Sequence, residues 1–237
     1  TWGVFNDVLC VGKDNTFKFV RGVLDEVMSL FPSKLIHIGG DEVPRDRWKA
    51  CPSCQKRIAD EGLKADSKFS AEDHLQSYFM ARIEKYLNSK GRSIIGWDEI
   101  LDGDVSPNAT VMSWRGSQGG ETAARLKHHV IMTPVDYAYF DYYQIEDRTK
   151  DSVSFGACIT VEKVYKAEPI PVSLSPSESK YILGVQGNLW SEYIPSAANL
   201  EFKVLPRMSA MSELQWTEPE RKNYDDFISR LPRLMEF

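Results

Sequence analysis

A chain of 237 residues with 42% hydrophobic and 27% charged side chains has enough apolar material for one large globular domain or two small ones. Its 29 Lys and Arg against 34 Asp and Glu leave a net charge of −5, so nothing supports binding to nucleic acid or to an anionic membrane surface. Apolar runs last only a few residues, too short to span a bilayer. The chain opens at Thr1-Trp2-Gly3 with no initiator methionine, so the lack of a visible leader carries no information.

In chain order, the spacing of Phe17, Val20, Leu24, Val27 and Phe31 predicts a helix over 16–31, with Asp14 or Asn15 as its cap. Residues 34–39 read as a short buried strand that runs into Gly39-Gly40. A polar helical stretch covers about 46–61. A longer helix covers about 70–89, with Leu75, Phe79, Ile83 and Leu87 in phase and Gly91 closing it. Four more strands are predicted at 93–97, 110–114, 129–133 and 182–186, with a helix at 119–128. Residues 142–181, with three prolines after Glu168, form the least regular region, and helices over about 197–214 and 222–236 follow.

Strands that alternate with helices imply βα units and a parallel sheet. Each apolar strand runs into a polar and aromatic cluster: Asp41-Glu42, Trp97-Asp98-Glu99, Trp114-Arg115, Tyr139 to Asp141, and Trp190 to Glu192. In a (β/α)8 barrel the loops after the strands build the active-site face, which matches this distribution. Five strands are counted where a closed barrel needs eight.

The strongest local signal is His37-Ile-Gly-Gly-Asp-Glu42, two adjacent carboxylates where a buried strand emerges. Such a pair repels, and partial burial would raise the pKa of the more desolvated acid. One acid can then stay protonated near neutral pH while its neighbour stays ionised, which suits general acid catalysis. The alternative is an ordinary solvated Asp-Glu turn. His37 reads as a core or supporting histidine, Trp48 and Trp216 as helix packing, and Asp98 and Glu99 as structural or rim acids. Among four cysteines, Cys51-Pro-Ser-Cys54 has zinc-knuckle or redox spacing. It lacks a second ligand pair, so a local disulfide or two free thiols is the expectation, with no metal and no cofactor.

His37-Ile-Gly-Gly-Asp-Glu-Val43 resembles the signature of the glycoside hydrolase family 20 β-N-acetylhexosaminidases. Gly96-Trp-Asp-Glu-Ile100, Met112-Ser-Trp-Arg-Gly116, Tyr139-Phe-Asp141, Gly184-Val-Gln-Gly-Asn-Leu-Trp-Ser-Glu192 and Pro206-Arg207 with Glu213-Leu-Gln-Trp216 follow in that family's order. The resemblance implies an α/β fold, a (β/α)8 TIM barrel in which residues 1–237 supply about the C-terminal five β/α units. By the same resemblance, the upstream strands, an arginine that grips the terminal sugar and a smaller leading domain belong ahead of Thr1. An open parallel sheet leaves unpaired edges, so residues 1–237 alone are expected to fold poorly.

By position, the resemblance makes Glu42 the general acid/base, Asp41 the group that orients and charge-stabilises the substrate's 2-acetamido group, and Tyr139 a second partner of that group. It makes Trp97, Trp114 and Trp190 the walls around the N-acetyl group and sugar face, and Asp141 and Glu192 the acids that bind sugar hydroxyls. The implied substrate is a glycan or glycoconjugate with a terminal β-linked GlcNAc or GalNAc. It is cleaved with retention through an oxazolinium-like intermediate, as in the substrate-assisted exceptions among glycosidases. Family habit points to a periplasmic, secreted or lysosomal location. Three alternatives stay open: release of a disaccharide, a sugar binder that has lost catalysis, and a two-carboxylate retaining glycosidase.

Overall fold

The computed structural model describes residues 3–106 and 108–236. Five short strands, β1 (Leu35–His37), β2 (Ser93–Trp97), β3 (Thr110–Ser113), β4 (Val130–Met132) and β5 (Ile182–Val185), follow one another in the sheet in chain order. β1 pairs β2 in parallel with Ile36 opposite Ile94, and β2 pairs β3 in parallel with Gly96 opposite Val111. β2, β3 and β4 are buried along nearly all their length, as strands covered on both faces are, whereas β1, expected to be buried, exposes Leu35 and His37, and β5 exposes Leu183 and Gly184.

The chain divides into two compact units, one formed by the residues up to Met112 together with Thr122–Val130, the other by Ser113–Glu121 and Ile131 onward. In the first, α1 (Asp14–Leu30) buries Phe17 and Leu24. The Phe17 ring lies 5.3 Å from that of Phe79 on α4 (Ala71–Ser89), and the Arg82 guanidinium sits 3.7 Å above it. Phe31, expected on the same face, is exposed, because the helix ends at Leu30 and Phe31 continues as extended chain. The α1 cap position is Lys13, with neither Asp14 nor Asn15 capping. Ser70 and Asp73 form a reciprocal capping box that starts α4, and Gly91 turns the chain at φ +71°.

The polar stretch predicted as one helix over 46–61 is two, α2 (Asp46–Ala50) and α3 (Pro52–Asp60). Pro52 disfavours helical geometry at Cys51 and begins the new helix at its own fixed φ.

α5 (Gln118–Arg125) follows β3 and is shared between the two units; in the second unit, α6 (Val161–Tyr165) and α7 (Pro176–Ser179) are the only regular pieces of the described 142–181 segment. The stretch predicted as a helix over 197–214 is broken at Leu205-Pro206 into α8 (Ala197–Val204) and α9 (Arg207–Trp216), and α10 (Tyr224–Leu234) ends the fold. Trp216, expected to pack, is 87% exposed, because α9 ends on it and its buried face is carried by Arg207, Ala210, Met211 and Leu214.

Candidate active site

Two groups of the residues singled out in the sequence are each assembled within one unit. The first surrounds the turn after β1. Gly39 and Gly40 adopt φ +71° and +106°, and Glu42 is itself left-handed at φ +48°. For a residue with a Cβ this region is costly, and it recurs where function over-determines the backbone. The turn is anchored on both sides. The Trp97 N–H donates to Gly39 O at 3.0 Å, and Gln76 Nε2 donates to Gly40 O at 2.7 Å. A Cβ at Gly40 would stand 2.7 Å from Ile100 Cγ2, so close packing as well as φ demands glycine there.

Beyond the acids, Arg45 forms a 2.9 Å ion pair with Asp73 at the start of α4 and donates to Val43 O. The result is a fixed turn that presents Glu42 to solvent with Asp41 half-buried beside it. Glu42 is therefore more open than the partial burial expected from the sequence, because the left-handed turn projects it outward.

His37 is not a core residue. Its ring reaches solvent, accepts the Gly39 N–H at Nδ1 (3.1 Å) and lies 4.9 Å from the Trp97 ring. Desolvation by the surrounding protein lowers its pKa, and Asp41 partly offsets this. Trp97, Asp98 and Glu99 are buried, which makes the two acids structural rather than rim residues. Trp48 packs as expected, at 4% exposure.

The second group is aromatic and lies in the other unit. Tyr139 is buried, its ring stacked at 6.2 Å on Trp114 and 6.5 Å from Trp190. Burial raises the Tyr139 pKa, and hydrogen bonds from the Asn188 and Trp190 side chains pull the other way, so the phenol stays protonated and able to donate. A parallel bridge between Tyr139 and Asn188 sets the two segments in register, with the Phe140 N–H donating to Asn188 O at 2.7 Å.

Asp141 is 4% exposed, and neither carboxylate oxygen has a well-formed hydrogen bond among the described residues. Burial lifts its pKa to about 6, with Glu192 adding to the rise and the N–H groups of Asp141 and Trp190, then Arg207, opposing it. Glu192 and Trp190 are exposed, and Trp114 is half-buried.

Sequence reasoning gave no role to the residue that braces this second group. Arg207 is fully buried and donates through Nε to Lys203 O (3.2 Å) and through Nη1 to Tyr142 O and Ile159 O (both 3.2 Å). Its Nη2 donates to Phe140 O and Lys203 O. Burial brings its pKa down to about 10, against the pull of Asp151 and Asp141. Beside it lies the buried ion pair of Lys203 and Asp151 at 3.2 Å. Desolvation alone would raise the Asp151 pKa, but the N–H groups of Ile145 and Gln144 and the Lys203 ammonium outweigh it and hold the carboxyl below its ordinary range. The only signal in the sequence was Pro206-Arg207 itself, and an arginine opening a helix ordinarily reads as a solvated charge.

A parallel βα fold with polar and aromatic residues gathered after its strands has the arrangement by which (β/α)8 barrels build an active-site face. The comparisons with known proteins make this specific: residues 1–219 match the model of the glycosyl hydrolase family 20 catalytic domain, and the chain belongs to that family. It is 48% identical over 97% of its length to a β-hexosaminidase of Porphyromonas gingivalis, and 35% identical over 88% to one of Vibrio furnissii. It superposes with a TM-score of 0.85 and 30% identity on the family 20 exo-β-N-acetylglucosaminidase of Vibrio harveyi, whose structure holds N-acetylglucosamine, over 95% of the chain. The chain covers 29%, 34% and 35% of these three proteins, about a third of their lengths. The fold class is thus α/β, a (β/α)8 barrel to which this chain contributes five strands.

Proposed function

We propose that residues 1–237 are the later part of the catalytic barrel of a β-N-acetylhexosaminidase that removes terminal non-reducing N-acetylhexosamine from glycans by a retaining, substrate-assisted route. The observation that carries this reading is the left-handed turn that leaves Glu42 exposed with Asp41 half-buried beside it. In this reading Glu42 gives its proton to the glycosidic oxygen while the substrate's acetamido oxygen attacks the anomeric carbon and the bond to the leaving group breaks. The nucleophile is already tethered, so little ordering remains to be supplied.

The oxazolinium that forms is cationic, and ionised Asp41 stabilises it as charge develops. Glu42, now a carboxylate, takes a proton from water as that water opens the intermediate from the leaving-group side, with net retention. Protonated Tyr139 donates to the acetamido oxygen, and Trp97, Trp114 and Trp190 contact the acetamido methyl and the sugar face. Asp141 and Glu192 accept from sugar hydroxyls, and the buried oxygens of Asp141, without a well-formed hydrogen bond among the described residues, favour that role. The N-acetylglucosamine bound to the Vibrio harveyi relative supports this class of substrate. No cofactor takes part in this route, and a periplasmic, secreted or lysosomal location suits a glycan substrate.

Hydrolysis of a chromogenic N-acetyl-β-glucosaminide beside the matching plain β-glucoside tests the reading, using the full-length protein. Activity confined to the N-acetyl substrate is expected. Equal rates on both sugars would overturn the substrate-assisted mechanism in favour of a protein nucleophile.

A further inference from the structure

Three sulfurs that glycoside hydrolysis does not use converge in the first unit. Cys10 Sγ lies 3.7 Å from Cys51 Sγ and 3.7 Å from Cys54 Sγ, and all three fall within 4.8 Å of one another. No pair is bonded, since a disulfide would hold its sulfurs at about 2.05 Å. Thiolates placed about 2.3 Å from a zinc ion at the corners of a tetrahedron stand roughly 3.8 Å apart. The spacing to Cys10 is therefore that of ligands around one ion, and a disulfide could consume only two of the three.

The backbone around the sulfurs is arranged as a ligand shell. Cys51 is the N-cap residue of α3, so its sulfur lies at the start of that helix near the N–H groups of Ser53 and Cys54, and the Gly12 N–H lies near the sulfur of Cys54. Polar groups placed just outside a set of ligating sulfurs orient them. The two segments are pressed together: a Cβ at Gly12 would lie 2.2 Å from the carbonyl carbon of Ser53, so only glycine lets the Cys10 loop approach α3 this closely. Cys54 is buried while Cys10 and Cys51 are half-buried, which leaves one side of the cluster open to water.

We propose that Cys10, Cys51 and Cys54 form a trithiolate site for Zn2+, with water as the fourth ligand. The third ligand comes from 41 residues upstream of Cys51, which is why the Cys51-x-x-Cys54 spacing alone looked incomplete. The ion clamps the Cys10 loop to the start of α3. Trp48 Nε1 donates to Leu9 O at 2.9 Å and Arg47 pairs with Asp7 at 2.6 Å, so the same clamp braces α2, which follows the Asp41-Glu42 turn.

The test is elemental analysis of the full-length protein, expressed with added zinc and purified under reducing conditions without chelator, beside Cys10→Ser, Cys51→Ser and Cys158→Ser. The expected result is zinc that falls by one equivalent per chain in the first two variants and is unchanged in the third. Should the first two fail to fold, Co2+ loaded into the zinc-stripped wild-type protein decides, with thiolate-to-cobalt charge-transfer absorption expected in the near ultraviolet. Wild-type protein without thiolate-to-cobalt absorption, zinc unaltered by Cys10→Ser and Cys51→Ser, or a disulfide among the three cysteines in freshly purified protein mapped unreduced would each overturn the proposal.

Discussion

The acid-bearing turn after β1 and the aromatic group around Tyr139 are held by different physics. The turn is local: within seven residues of the start of β1, two glycines and a left-handed Glu42 leave the strand, tethered by single hydrogen bonds from Trp97 and Gln76. Its acids reach solvent, so side-chain chemistry there can change without disturbing a core. The aromatic group is built on buried Tyr139 and is non-local, with Phe140, Tyr142 and Ile159 all tied to one guanidinium that enters from α9. A function-bearing side chain thus separates from stability in the first region and is entangled with it in the second.

Substitutions can break or sharpen that contrast. The largest effect is expected from Glu42→Gln, which should lower kcat on the N-acetyl substrate by about 10²–10³-fold, on the scale of single transition-state groups worth roughly 3–4 kcal/mol. Thermal melting should be nearly unchanged because the side chain is exposed. A melt that shifts as far as the rate falls would erase the contrast.

Arg207→Met should act in the opposite way. It leaves four backbone carbonyls, most of them buried, without this donor, at about 3 kcal/mol or more of stability, and a thermal melt should show the loss before any assay does.

Asp141→Asn comes next and carries a pH signature. The folded pKa of about 6 lies above the unfolded value near 3.9, so the ionised carboxylate costs stability above pH 6. That cost fades as pH falls from about 6 toward about 4, where both states become protonated. The variant should gain about 2 kcal/mol at pH 7 to 8 and little at pH 4, while binding the sugar more weakly. A gain independent of pH would refute the buried-carboxylate account.

The smallest effect is Tyr139→Phe. It should cost about tenfold in kcat, or about 1.4 kcal/mol, and about 1 kcal/mol in stability, since the Asn188 and Trp190 side chains lose an acceptor. Steady-state kinetics and a melt measure both.

Much of this was legible in the residues. All five strands fall within two residues of their predicted ends, because each is a short apolar run bounded by polar or glycine-containing chain. The Gly39-Gly40 pair at the end of the predicted strand is where the chain turns, both glycines at positive φ. The two helix breaks were also visible as Pro52 and Pro206, since proline disfavours helical geometry at the residue before it; the apolar and polar periodicity simply outweighed them. Trp216 and Phe31 were misjudged because a ring at the last turn of a helix, or just past it, is covered only if another element happens to lie there.

The sequence by itself determined the alternation of strand and helix, the turn that displays Asp41 and Glu42, and the family, because each rests on contacts between near neighbours or on a local motif. Only the tertiary structure decided that Arg207, Lys203 and Asp141 are buried and that Cys10 meets Cys51 and Cys54. The reason is physical. A charge can leave water only where remote segments bring it partners, as Asp151 does for Lys203 from 52 residues away, and no local pattern encodes that meeting.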